Sequence, residues 1–337
     1  MKAFKYILLL LLVLIIGFSI YIAVQPNSFE VTRSRNIEAP KEVLYDKIID
    51  FETWEHWSSW VEADPAMTLN IPEKHRGVGG SYSWEDQDGM GTMTTVSANP
   101  YTSITQEMQF ADYPKSDVSW LLVTKEDGST EVTWKIAGQD LPFMFKLFST
   151  LMGGMEKQIG PHYERSLEKL DSLVQVDMKH FEITVNGITE YGGGYYLYKT
   201  TNANSQNMSA KMGESFGKIM QFMGEHNIKQ SGMPLTVYND ISSSSVIMSN
   251  GIPVKEKIIL PMDADVSLNY IPKIKVLKTT LKGNYTNLNK AWEKAMAYLA
   301  QNNLEQSSEH PFEIYTTDPG NYPNPADWIT EIYIPIQ

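Results

Sequence analysis

The last strand-like segment of the chain carries one residue that could do chemistry. Residues Ile329 to Gln337 form an apolar run rich in β-branched and aromatic types, and Glu331 is its single charged residue. Burying an unpaired carboxylate costs free energy. Glu331 therefore either faces solvent at the edge of a sheet or lies at the floor of a pocket, where it offers charge to a ligand.

The other polar residues do not have the spacing of a catalytic or metal site. The six histidines show neither His-x3-His nor His-Glu-x-x-His spacing, so the sequence predicts no metal. The chain has no cysteine and no Gly-x-Ser-x-Gly elbow, which removes thiol and esterase-type nucleophiles. We expect no cofactor and no dedicated catalytic residue. If the protein is an enzyme, Glu331 would act as a general base on water with Tyr315 assisting.

Length and charge favour two globular domains without a nucleic-acid partner, and the order of strands and helices described below favours the α+β class. The chain has 337 residues, of which 42% are hydrophobic and 20% are charged. This length allows about two domains. Its formal net charge is −12, and it contains no basic patch or helix-turn-helix signal. Binding to phosphate backbones requires a basic surface, so we expect no binding to nucleic acid.

Residues 1–28 predict an N-terminal transmembrane helix that acts as a membrane anchor. Tyr6 to Val24 is an uncharged stretch of 19 residues. At about 1.5 Å per residue it nearly spans a hydrocarbon core of about 30 Å. Lys2 and Lys5 precede it, so the positive-inside rule places the N-terminus in the cytoplasm. A cleaved signal peptide is the alternative, but no small-x-small site follows. We expect a single-pass protein of a bacterial cytoplasmic membrane with its soluble domains outside.

Residues 29–174 have the order of elements of a helix-grip fold. An extended run leads to a helix that starts at Pro40, then to several strands, and finally to a long helical pattern. We expect Gly153-Gly154 and Gly160-Pro161 to kink this last helix. The segments Ala39–Val43 and Phe51–Trp60 resemble the opening of the START-like polyketide cyclase/dehydrase (SRPBCC) superfamily.

This resemblance implies an apolar cavity between a curved sheet and the long helix. Members of the superfamily differ in ligand and activity, so the resemblance does not identify a ligand. Aromatic and methionine side chains are the candidates to line the cavity, with core packing as the alternative for each: Trp54, Trp57, Trp84, Trp134, Met152 and Met155.

Residues 178–337 contain a tandem repeat. Two amphipathic helices match at five apolar positions with an offset of 76 residues, and Pro234–Tyr238 matches Pro311–Tyr315. Two such units predict one sheet with both helices on one face, which leaves the opposite face or the seam between the repeats for a ligand. We expect Lys257 to be the counterpart of Glu331, with opposite charge. The polar run from Asn239 to Asn250 predicts a loop without chemistry.

The repeat and the terminal motif Thr330–Ile336 resemble the gyrase-inhibitor-like (GyrI-like, AraC-type) effector-binding family. The resemblance implies that Glu331 lies in an aromatic-lined cleft and contacts cationic or amphipathic ligands. Aromatic rings and a carboxylate suit a large organic cation, because cation–π attraction adds to that of a partly desolvated charge. The candidate lining residues, each of which could instead pack in the core, are Tyr315, Trp292, Tyr195 and Tyr198.

Three functions are consistent with these patterns. The favoured one is a membrane-anchored binding protein for small amphipathic or hydrophobic molecules, without a DNA-binding output. The second is a hydrolase that consumes a reactive small molecule through Glu331, which predicts that turnover stops with Glu331→Gln. The third is a protein-interaction module whose cavities are filled by its own side chains.

Overall fold

The chain divides into two compact units between Asp177 and Met178. The computed structural model describes residues 2–242 and 244–337, with the side chains of residues 3–242 and 244–337. Each unit contains an antiparallel sheet and helices. The predicted α+β class is therefore confirmed.

The N-terminal helix α1 (Lys2–Ala23) is apolar along almost its whole length. Its stretch from Ala3 to Ala23 is long and apolar enough to cross a membrane. Most of its large side chains are exposed, whereas Ile22 near its end is buried.

The first unit is built around a seven-stranded antiparallel sheet. Its strands are β1 (Phe29–Ile37), β2 (Thr68–Asn70), β3 (Ser81–Asp86), β4 (Gly89–Asn99), β5 (Ser103–Phe110), β6 (Ser116–Thr124) and β7 (Thr130–Gly138). Their spatial order is β1-β7-β6-β5-β4-β3-β2. The helices that follow α1 are α2 (Lys41–Ile48), α3 (Trp54–Trp57), α4 (Ser59–Ala63), α5 (Phe143–Leu151) and α6 (Met155–Met178).

Helix α6 packs on this sheet. Tyr163 of α6 stacks on Trp134 of β7 with ring centroids 3.6 Å apart. Arg33 of β1 forms ion pairs with Glu156 and Glu164 of the same helix. Strand β7 alternates buried and half-buried residues, as expected when one face of a sheet is covered. The predicted order of strand, short helix, antiparallel strands and long helix is therefore present.

The predicted kink at Gly153-Gly154 is a complete break between two helices. Helix α5 ends at Leu151 and α6 begins at Met155. Between them Gly153 has a φ of 89° and Gly154 a φ of 92°, left-handed values that glycine adopts at little cost. Pro161, by contrast, lies inside α6 and does not end it. Helix α6 also continues through residues 175–178, beyond the predicted end of the first segment at residue 174.

The second unit is built around an eight-stranded antiparallel sheet. Its strands are β8 (Glu182–Tyr191), β9 (Gly194–Ala203), β10 (Leu235–Ile241), β11 (Val246–Val254), β12 (Ser267–Ile271), β13 (Ile274–Lys282), β14 (Phe312–Tyr315) and β15 (Ile329–Pro335). Their spatial order is β12-β9-β11-β10-β14-β15-β13-β8. Its helices are α7 (Met208–Glu225) and α8 (Leu288–Gln301).

The predicted repeat is present in this unit. Helix α7 packs on β9 and β11, and α8 packs on β13 and β8. The buried residues of α7 and those of α8 are related by the predicted offset, as the pairs Ser215 and Ala291, Ile219 and Ala295, and Met223 and Leu299 show. Each half of the sheet therefore carries one amphipathic helix, and the central strands β10 and β14 join the two halves.

The second sheet curls until its two edges meet at one end. The connections from Tyr191 to Gly194 and from Ile271 to Ile274 each join strands from opposite sides of the sheet. Two residues span roughly 10 Å at most, so these strands are held close together. The face inside the curl is filled by the cluster Tyr196, Leu235, Val237, Val276, Phe312 and Tyr333. The face opposite the helices is therefore largely core. Of the two predicted places for a ligand, the seam between the repeats on the helix face is the one that is left.

The predicted equivalence of Lys257 and Glu331 is wrong. Strand β11 ends at Val254, and Lys257 lies in the loop that follows. The counterpart of Glu331 is Ser249, because Ser249 pairs with Val237 of β10 while Glu331 pairs with the matching residue of β14, Ile314.

The predicted loop from Asn239 to Asn250 is also wrong. Strands β10 and β11 cover most of this run and pair with each other across a short turn. Ser243 in the turn lies outside the described residues. Asn250 is buried in β11, because polar residues in a central strand can be satisfied by cross-strand side chains as well as by water.

Candidate ligand-binding sites

The two repeats meet at a buried carboxyl group. Strands β10 and β14 are the central pair of the second sheet, and Thr236 and Glu313 pair directly across them. These residues occupy matching positions in the two repeats, within Pro234–Tyr238 and Pro311–Tyr315. Glu313 is 1% exposed and points to the face that carries α8. The single carboxyl thus lies near the axis that relates the repeats.

Aromatic side chains hydrogen-bond both oxygens of Glu313. Trp292 Nε1, on α8, donates to Oε1 at 2.5 Å. The Tyr315 hydroxyl lies 2.9 Å from Oε2, and the nearby Tyr238 hydroxyl of β10 lowers the pKa of this carboxyl. Within the described part of the chain, Glu313 forms no salt bridge. The carboxyl is therefore held by neutral donors only.

The walls around this carboxyl are aromatic. The Tyr238 and Trp292 rings meet edge-on with centroids 5.5 Å apart. Phe216 of α7 and Tyr285, which precedes α8, both meet the Tyr315 ring edge-on, at 6.3 and 5.7 Å. Phe216, Tyr238, Tyr285 and Trp292 are all partly exposed, unlike Glu313. Partly exposed aromatic rings from both helices and the sheet thus surround the buried carboxyl, and we call this arrangement the Glu313 recess.

Burial raises the pKa of the Glu313 carboxyl above its ordinary value of 4.5, and the three aromatic side chains act in the opposite sense. Burial and the neighbouring carboxyl also raise the pKa of the Tyr315 hydroxyl well above its ordinary value. The protein therefore favours the neutral acid at this position more strongly than water does. A positive charge in the recess would favour the carboxylate instead.

A chain of hydrogen bonds continues from Glu313 to Asn250. The Tyr315 hydroxyl lies 3.1 Å from Thr236 Oγ1, and Thr236 Oγ1 donates to Asn250 Oδ1 at 2.9 Å. Asn250 Nδ2 is buried and has no partner among the described residues. In this arrangement Thr236 donates to Asn250, and Tyr315 donates its single hydroxyl proton to Thr236. A hydrogen bond between Tyr315 and Glu313 then requires a protonated Glu313 as the donor.

The orientation of the Asn250 amide is coupled to the charge on Glu313. If the amide turns by 180°, its Nδ2 donates to Thr236, Thr236 donates to Tyr315, and Tyr315 donates to an ionised Glu313. In this second arrangement Nδ2 has a partner, and Oδ1 takes the buried position without one. The recess can thus hold either form of the carboxyl with a matched set of hydrogen bonds.

Glu331 lies on the other face of the sheet. It pairs with Ile314, the residue after Glu313, and the alternation of a strand turns it away from the recess. Its Oε1 forms an ion pair with Lys278 Nζ at 2.7 Å, and the Tyr333 hydroxyl donates to Oε2. The Glu331 side chain is 20% exposed. Its charge is therefore compensated by the protein itself.

The predicted site residues divide between the two faces of this sheet. Tyr315 and Trp292 contact Glu313 on the helix face, so the structure does not bring them together with Glu331. Tyr198 packs on Tyr196 in the curled core, with centroids 5.6 Å apart. Tyr195 packs beneath α7 and against Tyr270 of the edge strand, with centroids 4.8 Å apart. The proposed pairing of Glu331 with Tyr315 in a hydrolase is therefore not formed.

The first unit contains a cavity of about 870 Å³ between its sheet and its last two helices. This volume is within the range of about 300–1,000 Å³ typical of small-molecule sites. Five of the six predicted residues line it, namely Trp54, Trp84, Trp134, Met152 and Met155. Trp57 does not: it is completely buried and packs against Trp54, Trp120 and Trp134. Trp57 therefore belongs to the core that supports the cavity.

The lining of this cavity is mostly apolar and aromatic. His162 lies on it, stacks on Trp60 with centroids 4.8 Å apart and places Nδ1 2.9 Å from the Ser59 hydroxyl. Burial lowers the pKa of the His162 imidazole, which favours its neutral form. The charged lining residues are Glu55, Asp86, Asp88 and Lys157. Asp86 is partly buried at the end of β3, and the other three are exposed. Such a cavity suits an apolar or amphipathic ligand.

A cluster of possible metal ligands also lies in the first unit. Ligand atoms of Asp50, Glu52 and His75 lie within 4.8 Å of one another. His75 Nδ1 lies 2.7 Å from Asp50 Oδ1, and Arg76 contacts the other oxygen of Asp50 at 3.4 Å. The guanidinium already compensates this carboxylate. Histidine spacing alone did not indicate this cluster, because its members come from two separate segments.

Residues 195–337 match the family model described as the GyrI-like small molecule binding domain. The second unit therefore carries a small-molecule-binding domain of the GyrI-like family. The matched range contains all residues of the Glu313 recess. Among curated proteins, no sequence match was found.

Several solved structures match part of this chain. The C-terminal domain of EcmrR is 16% identical, with 47% of this chain and 98% of that domain covered and a TM-score of 0.40. EcmrR in its complex with DNA is 18% identical, with coverages of 54% and 68% and a TM-score of 0.40. Protein CV1439 from Chromobacterium violaceum is 16% identical, with coverages of 43% and 96% and a TM-score of 0.31. These similarities concern the fold alone.

Sequence reasoning missed Glu313, Tyr238, Thr236 and Asn250. A signal for Glu313 was present in the matching segments Pro234–Tyr238 and Pro311–Tyr315, where one repeat has threonine and the other has glutamate. A carboxyl in only one of two matching apolar strands marks a position that packing alone does not explain. Asn250 gave no comparable signal, because its burial depends on the strand pairing.

Proposed function

We propose that this chain is a membrane-anchored small-molecule-binding protein whose second unit binds an amphipathic organic cation in the Glu313 recess. The observation that carries the proposal is a buried carboxyl, held by neutral donors and walled by partly exposed aromatic rings. The match of residues 195–337 to a small-molecule-binding family supports a ligand site in the same unit.

A large organic cation fits this recess for electrostatic reasons. The carboxyl is removed from water, so its ionised form lacks compensation until a positive ligand arrives. Each aromatic wall adds cation–π attraction of about 0.5–2 kcal/mol. A small hydrated metal ion would lose its water without gaining comparable contacts with the rings. An amphipathic cation gains both attractions and buries its apolar part.

Ligand entry requires a side chain to move. Glu313 is almost completely covered, and the rings that cover it on the helix side include Trp292 and Tyr285. Both rings are partly exposed, so rotation toward solvent is open to them. We expect binding to change the fluorescence of Trp292, because its Nε1 donates to the Glu313 carboxyl.

The test is titration of the full chain in detergent micelles with tetraphenylphosphonium, followed by calorimetry. Glu313→Gln should weaken binding by about 10- to 100-fold, as expected for a lost charge-assisted contact. Glu331→Gln is the matched control, because that carboxylate lies on the other face and pairs with Lys278. Binding of wild-type strength in Glu313→Gln would overturn the assignment. Loss in Glu331→Gln alone would move the site to the other face.

We also propose that α1 is an uncleaved anchor in a bacterial cytoplasmic membrane and that the first unit is a START-like domain on the outer side. The exposed apolar surface of α1 supports the anchor, and the cavity beneath α6 supports the domain assignment. The full chain should remain in the membrane pellet after alkaline carbonate extraction. Intact-mass measurement should retain α1. A mature chain without α1 would contradict the anchor and support a signal peptide.

A second function is favoured by one observation in the same recess. A carboxyl of raised pKa beside a tyrosine hydroxyl is a combination used for general acid–base chemistry. Hydrolysis of a reactive electrophile would then depend on Glu313 rather than on Glu331. Incubation with an epoxide-bearing amphipathic amine, followed by mass spectrometry, separates the two functions: a binding protein leaves the probe unchanged, whereas a hydrolase adds water to it.

A further inference from the structure

We infer that the exposed apolar face of α5 lies in the membrane surface and opens the cavity of the first unit toward the bilayer, from which the cavity takes a lipid-sized amphiphile. This inference rests on the proposed anchoring by α1.

Helix α5 is fixed to the end of the apolar helix. Lys146 of α5 is 8% exposed, and its Nζ donates to the carbonyl oxygens of Ala23 at 2.9 Å and Gln25 at 3.3 Å. It also donates to Asn27 Oδ1 at 2.9 Å. The carbonyls at a helix C-terminus lack partners within the helix and carry partial negative charge. A buried ammonium that binds them connects α1 directly to α5.

The outer face of α5 is apolar and uncovered. Its exposed large residues have fractional exposures of 41–64%: Phe143, Met144, Phe148, Leu151 and Met152. Their spacing places them on one side of α5, with Met152 directly after its last residue. Between Leu141 and Met155 the one charged residue is Lys146, and it is turned toward α1. Exposed apolar residues in such a group mark an interaction surface.

This face is continuous with the cavity of the first unit. Phe148 and Met152 belong to the exposed face and also line the cavity. On the inner side of α5, Phe145 reaches into the cavity wall, where it stacks on Phe29 at 6.0 Å and meets Tyr113 edge-on at 5.1 Å. An apolar ligand that reaches the outer face can therefore enter the cavity without passing a charged residue of α5.

The bilayer is the occupant that the geometry favours. When α1 spans a membrane, its end at Ala23 lies at the boundary between hydrocarbon and water. Lys146 holds α5 within hydrogen-bond distance of that end. A short apolar helix rich in Phe, Leu and Met at this depth inserts its apolar side among lipid chains. Lipid then covers the apolar face of α5, whose exposure to water would be unfavourable.

The first test locates the face relative to the bilayer. The chain contains no cysteine, so single cysteines carry an environment-sensitive nitrobenzoxadiazole dye in full chain reconstituted into phosphatidylcholine vesicles. Phe148→Cys should be quenched by lipids with a nitroxide near the headgroup, and Leu12→Cys in α1 by lipids with a nitroxide deep in the chain. Val96→Cys is the control, because Val96 is 47% exposed but lies on β4.

The outcomes separate the inference from the proposal on which it rests. Quenching at position 12 with no more quenching at position 148 than at position 96 would overturn the membrane contact of α5 while leaving the anchor intact. Absence of quenching at position 12 would overturn the anchor itself, and the inference with it. Shallow quenching at position 148 is the result we expect.

The second test follows the ligand. Vesicles that contain the full chain and a diazirine-bearing fatty acid are irradiated, and the labelled peptides are identified by mass spectrometry. We expect labelling of the cavity wall around Trp54 and Trp60, reduced about fivefold by Leu151→Asp, which alters the outer face without lining the cavity. Val123→Asp, on exposed β6, is the control. Labelling confined to α1 and α5, or equal labelling in both variants, would overturn lipid uptake through this face.

Discussion

Thr236 and Glu313 face each other across the two central strands of the second sheet, at the junction of its repeats. A symmetric pair of glutamates at this position would place two buried carboxyls side by side, where they could not both ionise. The repeat instead has a hydroxyl on one side and a carboxyl on the other. One ligand charge can therefore be matched by one protein charge.

Replacing the Glu313 carboxyl should change how stability depends on pH. Burial raises the pKa of Glu313, so its contribution to stability is complete below the unfolded pKa of about 4.5 and is lost as the pH rises through the folded pKa. Glu313→Gln resembles the protonated acid and lacks this loss. Its Tm should exceed that of the wild type by an amount that grows with pH.

Each unit by which folding raises the pKa of Glu313 corresponds to about 1.4 kcal/mol of unfolding free energy. The measurement is thermal unfolding of the full chain between about pH 4 and about pH 8. Glu309→Gln, at an exposed position, is the control. Parallel curves for the wild type and Glu313→Gln would contradict a raised pKa.

Affinity for an organic cation should fall as the pH decreases through the folded pKa of Glu313, because protonation removes the charge that the ligand meets. When the neutral acid is the dominant form, binding should also release a proton. Calorimetric titration with tetraphenylphosphonium in two buffers of different ionisation enthalpy measures that release. A binding enthalpy independent of the buffer at every pH would show that Glu313 does not change its charge on binding.

The hydrogen-bond chain beyond Tyr315 should be cooperative. Thr236→Val leaves the buried Asn250 amide without its partner, which we expect to cost about 1–3 kcal/mol of unfolding free energy. Adding Asn250→Leu removes the stranded polar group and should recover part of that loss. Urea unfolding of the two single variants and the double variant measures the coupling. Strictly additive losses would show that the two side chains are independent.

The ion pair between Glu331 and Lys278 should stabilise the fold and should not take part in ligand binding. Lys278→Met leaves a partly buried carboxylate without its cation and should cost more unfolding free energy than Glu331→Gln, which we expect to cost about 1 kcal/mol. The exchange Lys278→Glu with Glu331→Lys should restore part of the loss. Tetraphenylphosphonium affinity should change less than about twofold in Glu331→Gln; a larger loss would assign this carboxylate to the ligand site.

Closure of the second sheet should depend on Gly193 and not on Gly192. Gly193 has a φ of 77°, and a Cβ there would lie 2.4 Å from the backbone oxygen of Ile271. Gly193→Ala should therefore destabilise the protein by about 2–4 kcal/mol. Gly192→Ala is the matched control, since nothing lies within 4 Å of the Cβ it would add. Equal effects in urea unfolding would show that the edges do not approach in solution.

Several features could be predicted from the sequence because they depend on local periodicity. The two helices of the repeat were found through apolar positions at helical spacing. Two of the five matched pairs, Ile219 with Ala295 and Met223 with Leu299, are buried, whereas Met220 and Met296 are exposed. The break at Gly153-Gly154 follows from the backbone preference of glycine. Trp292 and Tyr315 were predicted to line a site with Glu331, but both contact Glu313 instead.

The sequence by itself determined the apolar N-terminal helix, the two repeats and the aromatic character of the sites, since composition and period are local properties. Only the tertiary structure decided which carboxyl the aromatic residues surround. Side chains alternate between the two faces of a strand, so neighbouring positions in the sheet, such as Ile314 and Glu331, share a face that Glu313 does not. Register arises from pairing between distant segments, and a shift of one residue reverses every face.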